Sequence, residues 1–163
     1  MSIRFFLLSL FIVFIAGCEN QNDQTFPLSS LVEEKKPIGT IDIEDDRTNT
    51  NANEEAKTSR QKKIDEFESI ITHIKLKRVK KNKINDLSRE YISEDKLLSV
   101  VMINSKNRKD VLFIDITSDG NGLVVSIEDG ESIDKMYEII NGDSNLYEEV
   151  NDFYKSIYKE ITL

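Results

Sequence analysis

One strongly basic run stands out in a chain whose formal net charge is −8. Closely spaced cations can bind polyanions such as a sulfated glycan, an anionic lipid headgroup or a nucleic acid. The alternative is a solvated helix end, where cations interact favourably with the helix dipole. An acidic chain with no aromatic residue in the run is not expected to bind nucleic acid. The candidate polyanion-binding residues are Lys75, Lys77, Arg78, Lys80, Lys81 and Lys83.

Oxygen-bearing side chains form a second pattern near the middle of the chain. Asp115, Thr117, Asp119 and Gly120 resemble the first half of an EF-hand-type calcium loop, in which ligands alternate before a sharp turn. The twelfth position should be a bidentate acid but is Ser126, and the flanking residues favour strands. A hairpin turn explains the same residues, so we predict no metal site.

Side chains suited to catalysis are scarce. His73 is the only histidine and Cys18 the only cysteine. Catalytic Cys/His pairs and histidine-rich metal sites are therefore not expected. The sequence contains no nucleophile-elbow pattern and no glycine-rich phosphate loop. We predict a protein that is not an enzyme and has no cofactor.

The cysteine follows a leader with the three parts of an export signal. Arg4 supplies a positive charge, residues 5–15 are apolar apart from one serine, and Ala16-Gly17 gives the small residues that a signal peptidase needs. The apolar run is shorter than the roughly 20 residues with which a helix crosses a bilayer. A simple secreted protein and an uncleaved anchor are the alternatives, but neither accounts for a cysteine directly after Ala-Gly.

The four residues Ile15-Ala16-Gly17-Cys18 resemble the lipobox of bacterial lipoproteins. The resemblance implies cleavage between Gly17 and Cys18, diacylglycerol on the Cys18 thiol and usually a further acyl chain on the new amine. A single acyl chain gives only reversible membrane binding, whereas two or three hold a protein essentially permanently. Residues 1–17 are thus predicted to be a signal peptide and Cys18 the only covalent link to a bacterial membrane.

Residues 18–58 are predicted to be the lipidated cysteine and a disordered polar tether. Asn, Gln, Asp, Glu, Ser and Thr dominate this segment, and its few apolar residues follow no sustained helical period. Too little apolar surface is available to offset the loss of chain entropy on folding. As an alternative for one part of it, residues 40–44 alternate as an edge strand does.

Residues 59–163 are predicted to form one small α+β domain, in which helices at both ends pack on a hairpin or a three-stranded antiparallel meander. Apolar residues at helical spacing between Ile64 and Ile74 predict a first helix that starts near Ser59. Residues 111–117 and 123–128 predict the hairpin, because the intervening Ser-Asp-Gly-Asn-Gly has turn chemistry. Residues 97–103 read as a third strand, although a helix is the alternative.

Two C-terminal helices complete the predicted domain. Ser132 is expected to cap the first of them, in which Ile133, Met136, Tyr137 and Ile140 share a face. Residues 146–161 carry a longer apolar stripe for the second.

The whole layout points to a protein that presents a domain at a membrane. A leader, a polar tether and a domain rich in Lys, Ile and Asn are similar in layout to the outer-surface lipoproteins of Borrelia-type spirochaetes. That resemblance implies display on the outer membrane and binding of host proteins. We expect a lipid-anchored, non-catalytic binding domain that is exposed at the cell surface and binds a host protein or a sulfated glycan. The alternative is a periplasm-facing lipoprotein that binds another envelope protein.

Overall fold

A computed structural model describes residues 24–46, 54–84, 86–87, 97–128 and 132–161. These residues contain three α-helices: α1 (Leu28–Lys35), α2 (Gln61–Ile71) and α3 (Ser144–Ile161). A 3₁₀ turn covers Lys81–Lys83. The strands are β1 (Thr25–Pro27), β2 (Ile38–Asp46), β3 (Glu54–Thr58), β4 (Lys75–Arg78), β5 (Leu97–Asn104), β6 (Asp110–Thr117), β7 (Gly122–Glu128) and β8 (Ser132–Ile139).

The strands form a single eight-stranded sheet in the order β1-β4-β8-β7-β6-β5-β2-β3, and every neighbouring pair is antiparallel. Strands β5 to β8 are a simple meander at its centre. Helix α1 carries the chain from the β1 edge to β2 on the other side, and α2 returns it from β3 to β4. The two edges are therefore built by the N-terminal third of the described chain together with β4.

The main hydrophobic core lies between the sheet and the three helices. Alternate residues of each central strand point into it, as the two-residue period of a strand requires. Val100 and Ile114 are opposite each other in the β5–β6 pairing, and both are fully buried. Phe67 of α2 and Phe153 of α3 belong to the same core, and their ring centroids are 5.2 Å apart. No helix in the described part of the chain is both long and apolar enough to cross a membrane.

The predicted fold, a small domain built on a hairpin or three-stranded meander, is wrong. Helices and an antiparallel sheet are both present, but the sheet has eight strands and dominates the structure. The predicted hairpin exists as β6 and β7, and residues 97–103 lie in strand β5 rather than in a helix. The local patterns identified neighbouring strands, but sheet size depends on partners distant in the sequence.

The predicted disordered tether is also wrong for the residues that can be described. It contains β1, α1, β2 and β3, all part of the same sheet and core. Its apolar residues follow two periods in succession: Leu28 and Val32 lie on one face of a short helix, whereas Ile41 and Ile43 alternate along a strand. Neither period continues for long, so the segment shows neither a clear helical pattern nor a clear strand pattern in the sequence. Residues 40–44, considered for an edge strand, lie in β2 between β3 and β5.

The predicted helix at 132–140 is wrong, because these residues form β8. Met136 and Tyr137 are adjacent and therefore point to opposite faces, yet both are buried. Because both faces of β8 are buried, apolar and polar residues do not alternate along it as they do in a half-exposed strand. The apolar residues that remain are spaced as they would be in a helix. The first and last predicted helices are present as α2, which ends at Ile71, and as α3.

Candidate functional site

Most of the predicted polyanion-binding residues meet beside the C-terminal end of β4. A cavity of about 190 Å³ lies there. Four of the six predicted cations line it, together with one carboxylate and two apolar side chains. The lining residues are Lys77, Arg78, Lys80, Lys83, Glu138, Val79 and Leu87.

The cations of β4 lie away from the main core: Lys75 and Arg78 are exposed and Lys77 is half-buried. Strand alternation sends Leu76 into the core, where it is fully buried, and Lys77 to the opposite face. Lys77 lies opposite Glu138 in the pairing of β4 with β8, a position in which unlike charges are favourable. Arg78 ends the strand and is exposed. The predicted alternative, a solvated helix end, is wrong since the basic run begins in a strand.

A second, smaller core holds the chain that follows β4. Val79 is buried with Leu123 and Met136, and Ile84 and Leu87 pack against this cluster. The N–H of Val79 donates a hydrogen bond to the carbonyl of Met136 at 2.9 Å. These contacts fix the backbone from which the neighbouring cations project into solvent.

Lys80 and Lys83 are brought together by the 3₁₀ turn. The N–H of Lys83 donates to the carbonyl of Lys80 at 2.9 Å. Residues three apart project from the same side of a 3₁₀ turn, and both of these side chains are exposed. Two neighbouring cations in solvent create a local positive potential that attracts an anion.

A neighbouring cavity of about 250 Å³ extends the basic surface toward β1. It is lined by Gln24, Phe26, Arg78, Lys135 and Tyr137, so Arg78 belongs to both cavities. The rings of Phe26 and Tyr137 form part of it, edge to face with centroids 5.1 Å apart. Lys135 was missed by the sequence analysis because it lies far from the basic run along the chain. Only the position of β8 beside β4 brings it here.

The exposed cations of this surface are available to a ligand. Among the described residues, Arg78, Lys80 and Lys83 make no ion pair. Arginine can hold a phosphate, sulfate or carboxylate through two parallel hydrogen bonds, whereas lysine acts as a point charge. The arrangement can therefore bind an anion through charge and hydrogen bonds.

Other predicted site residues lie elsewhere. Lys75 is exposed at the opposite end of β4 and does not line the cavity. The side chain of Lys81 lies outside the described part of the structure, as do Gly17 and Cys18. His73 is exposed in the turn after α2.

The residues that resemble half a calcium loop lie in strand β6 and in the turn that follows it. Asp115 is half-buried on β6 and accepts a hydrogen bond from the Ser99 hydroxyl at 2.7 Å. Burial raises the pKa of Asp115, and the Ser99 hydrogen bond opposes that rise. Asp119 instead accepts hydrogen bonds from Thr117 at 2.5 Å and from the N–H of Asn121 at 3.1 Å, which lower its pKa. Within the described ranges no three acidic, histidine or cysteine side chains are grouped to hold a metal.

A larger cavity of about 420 Å³ lies beside β2, β3 and β5. Its two cations are Lys57 and Arg108. The ammonium group of Lys57 donates to the Asp42 carboxylate at 2.6 Å, so this charge is already compensated. A single remaining exposed cation, Arg108, does not form a cluster like the one beside β4, so we do not place an anion site here. The other lining residues are Gly39, Thr40, Ser59, Ile103, Asn104 and Ser105.

The chain was compared with protein-family models, curated proteins and solved structures. No family model matches it, and no curated protein or solved structure is significantly similar.

Proposed function

We propose that this protein is a lipid-anchored bacterial lipoprotein that presents a non-catalytic binding domain whose basic surface takes a polyanion. One observation carries the proposal. Lys77, Arg78, Lys80 and Lys83 line a single cavity at the end of β4, although the chain as a whole is acidic. A local concentration of cations against a negative net charge selects for a ligand with several negative charges.

The membrane part of the proposal depends on the leader. The residues before Cys18 match an export signal, and the lipobox resemblance predicts lipid on that thiol. We place the protein on the outer membrane with its domain exposed at the cell surface, where a sulfated glycan or a host protein with an acidic surface is available. Replacing Cys18 by Ser should move the protein from the membrane fraction to the soluble fraction.

Heparin, a sulfated glycan, is the probe for the basic surface. The soluble mature chain, residues 18–163 with Cys18→Ser, is compared with a variant that also carries Arg78→Gln, Lys80→Gln and Lys83→Gln. The altered side chains are exposed, so folding should be retained, and circular dichroism checks this. We expect the variant to leave immobilised heparin at a clearly lower salt concentration.

A matched control separates the site from overall charge. Lys62→Gln, Lys106→Gln and Arg108→Gln also remove three positive charges from exposed positions. The turn that carries Lys106 and Arg108 follows β5, four strand spacings from β4, which is about 19 Å. Equal losses of retention in the two triple variants would contradict the proposed site, because they would show a response to net charge only.

A further inference from the structure

We propose that the polyanion bound by this basic surface is the anionic face of the membrane that carries the lipid anchor. The inference builds on the proposed function and names its partner: a bilayer surface that contains acidic phospholipid. It comes from the register of β1, the small number of residues between Cys18 and the first strand, and the distribution of charge across the sheet.

The register of β1 sets the direction in which the anchor lies. Thr25 is opposite Lys77 and Pro27 is opposite Lys75 in the antiparallel pairing. The chain before Thr25 therefore leaves the sheet at the end of β4 where Arg78 stands. Gln24 confirms this direction, because it lines a cavity together with Arg78. A parallel pairing would have sent the anchor to the opposite end of β4.

The length of chain before β1 keeps that end close to the lipid. Five residues lie between Cys18 and Gln24, so their Cα atoms are six steps apart along the chain. Fully extended, six steps span at most about 22 Å. The opposite edge of the sheet is seven strand spacings from β1, or about 34 Å. The edge formed by β1 and β4 is thus the one held at the bilayer.

The distribution of charge across the sheet favours an orientation with the β1–β4 edge facing an anionic bilayer. Arg78, Lys80 and Lys83 stand near the anchored edge. On the face of the sheet opposite the main core, the far side carries Asp42, Glu44 and Glu55, which outnumber Lys57, the partner of Asp42. An anionic surface attracts the first group and repels the second. Because screening limits this attraction to about 8 Å at physiological salt, only cations brought to the surface by a short connection contribute.

Vesicles test the inference. The soluble mature chain with Cys18→Ser is sedimented with vesicles of phosphatidylcholine alone or with roughly 30% phosphatidylglycerol, which gives the vesicles a negative surface potential. We expect binding to the acidic vesicles only, and less of it as salt rises. Removing three cations with Arg78→Gln, Lys80→Gln and Lys83→Gln should weaken it roughly 100-fold, about fivefold per cation. The variant with Lys62→Gln, Lys106→Gln and Arg108→Gln should bind like the parent.

A charge-conserving variant distinguishes a surface from a shaped ligand pocket. Arg78→Lys, Lys80→Arg and Lys83→Arg keep every charge but change the hydrogen-bond geometry. Binding to a charged surface should change by less than about twofold, since it depends on charge rather than on bidentate contacts. A large loss in this variant would overturn the inference in favour of a discrete headgroup or sulfate pocket.

Failure of this inference is separable from failure of the proposed function. If the cavity cations control heparin retention but acidic vesicles do not bind, the membrane partner is wrong and the polyanion site stands. If neither heparin nor vesicles respond to these cations, both proposals are wrong. Equal loss of vesicle binding in the two triple variants would also overturn the membrane inference.

Discussion

Thr25 lies directly opposite Lys77 across the pairing of β1 with β4. This register joins the start of the described chain to its most basic surface. The chain that precedes Gln24 therefore leaves the sheet at the end of β4 where Arg78 stands, rather than at the end where Lys75 stands. If Cys18 is lipidated as proposed, this three-residue strand decides which edge of the domain is nearest the lipid.

Phe26 holds β1 in place, and truncating its side chain should loosen the edge of the sheet formed by β1 and β4. Its ring packs edge to face against Tyr137 at 5.1 Å, beside the main core. Phe26→Ala should lower the free energy of unfolding by roughly 2 kcal/mol, less than the ~3–5 kcal/mol of a fully buried Phe. Urea denaturation measures the change. Ile140→Ala, at an exposed position, should cost under about 0.5 kcal/mol. Equal losses would show that Phe26 is not packed as described.

Gly120 makes the β6–β7 turn possible, and a side chain there should be costly. Its φ is +84°, and a Cβ built on it would lie 1.9 Å from the carbonyl oxygen of Asp143. Both the backbone conformation and the close approach exclude alanine. Gly120→Ala should reduce the free energy of unfolding by about 3 kcal/mol. Ser118→Ala in the same turn should be nearly neutral in the same assay. A tolerated Gly120→Ala would show that the turn and the start of α3 are not in contact.

Asp115 should make stability fall as pH rises. Burial raises its pKa in the native state above the ordinary value of 3.8, so the native state holds the proton more tightly than the unfolded state. The contribution of this group to the free energy of unfolding is largest below pH 3.8 and is lost as pH passes through the native pKa. Asp115→Asn keeps an acceptor for the Ser99 hydroxyl and should therefore stabilise the protein at pH 7. Urea titrations at pH 7 and pH 3 should show this gain shrinking in acid.

Asp119 should have the opposite pH dependence. Hydrogen bonds from Thr117 and Asn121 lower its pKa, so its contribution is present above pH 3.8 and is lost as pH falls through the native pKa. Asp119→Asn should destabilise the protein at pH 7, and the difference from the parent should fade in acid. The two variants provide a paired test by denaturation over pH, because a general effect of net charge would give them the same sign.

Ile43 tests whether the polar N-terminal segment belongs to the folded sheet. The side chain is fully buried in β2, opposite Val100 of β5 and Ala56 of β3. Ile43→Ala should cost about 3 kcal/mol in urea denaturation. Ser30→Ala, exposed on α1, should change stability by less than about 0.5 kcal/mol. A disordered segment would give no loss at Ile43.

Local sequence patterns predicted the correct secondary structure where they are long or chemically specific. The apolar stripe of α3 and the Gly-Asn turn between β6 and β7 each lie within a few residues of one another, so their structure follows from short-range geometry. Local patterns failed for β8, where cover on both faces hides the strand period. They failed also for residues 24–46, where a short helix and a strand follow each other before either pattern repeats enough to be recognised.

The candidate site shows the same division. The basic run and the lipobox pattern are properties of neighbouring residues, so the sequence alone determines the cations and predicts the lipidated cysteine. Only the tertiary structure decided that Arg78 and Lys83 share a cavity, that Lys135 joins the neighbouring one and that the chain from Cys18 arrives beside them. The physical reason is that hydrogen-bonded strands distant along the chain become neighbours about 4.8 Å apart, and no local pattern records which strands will pair.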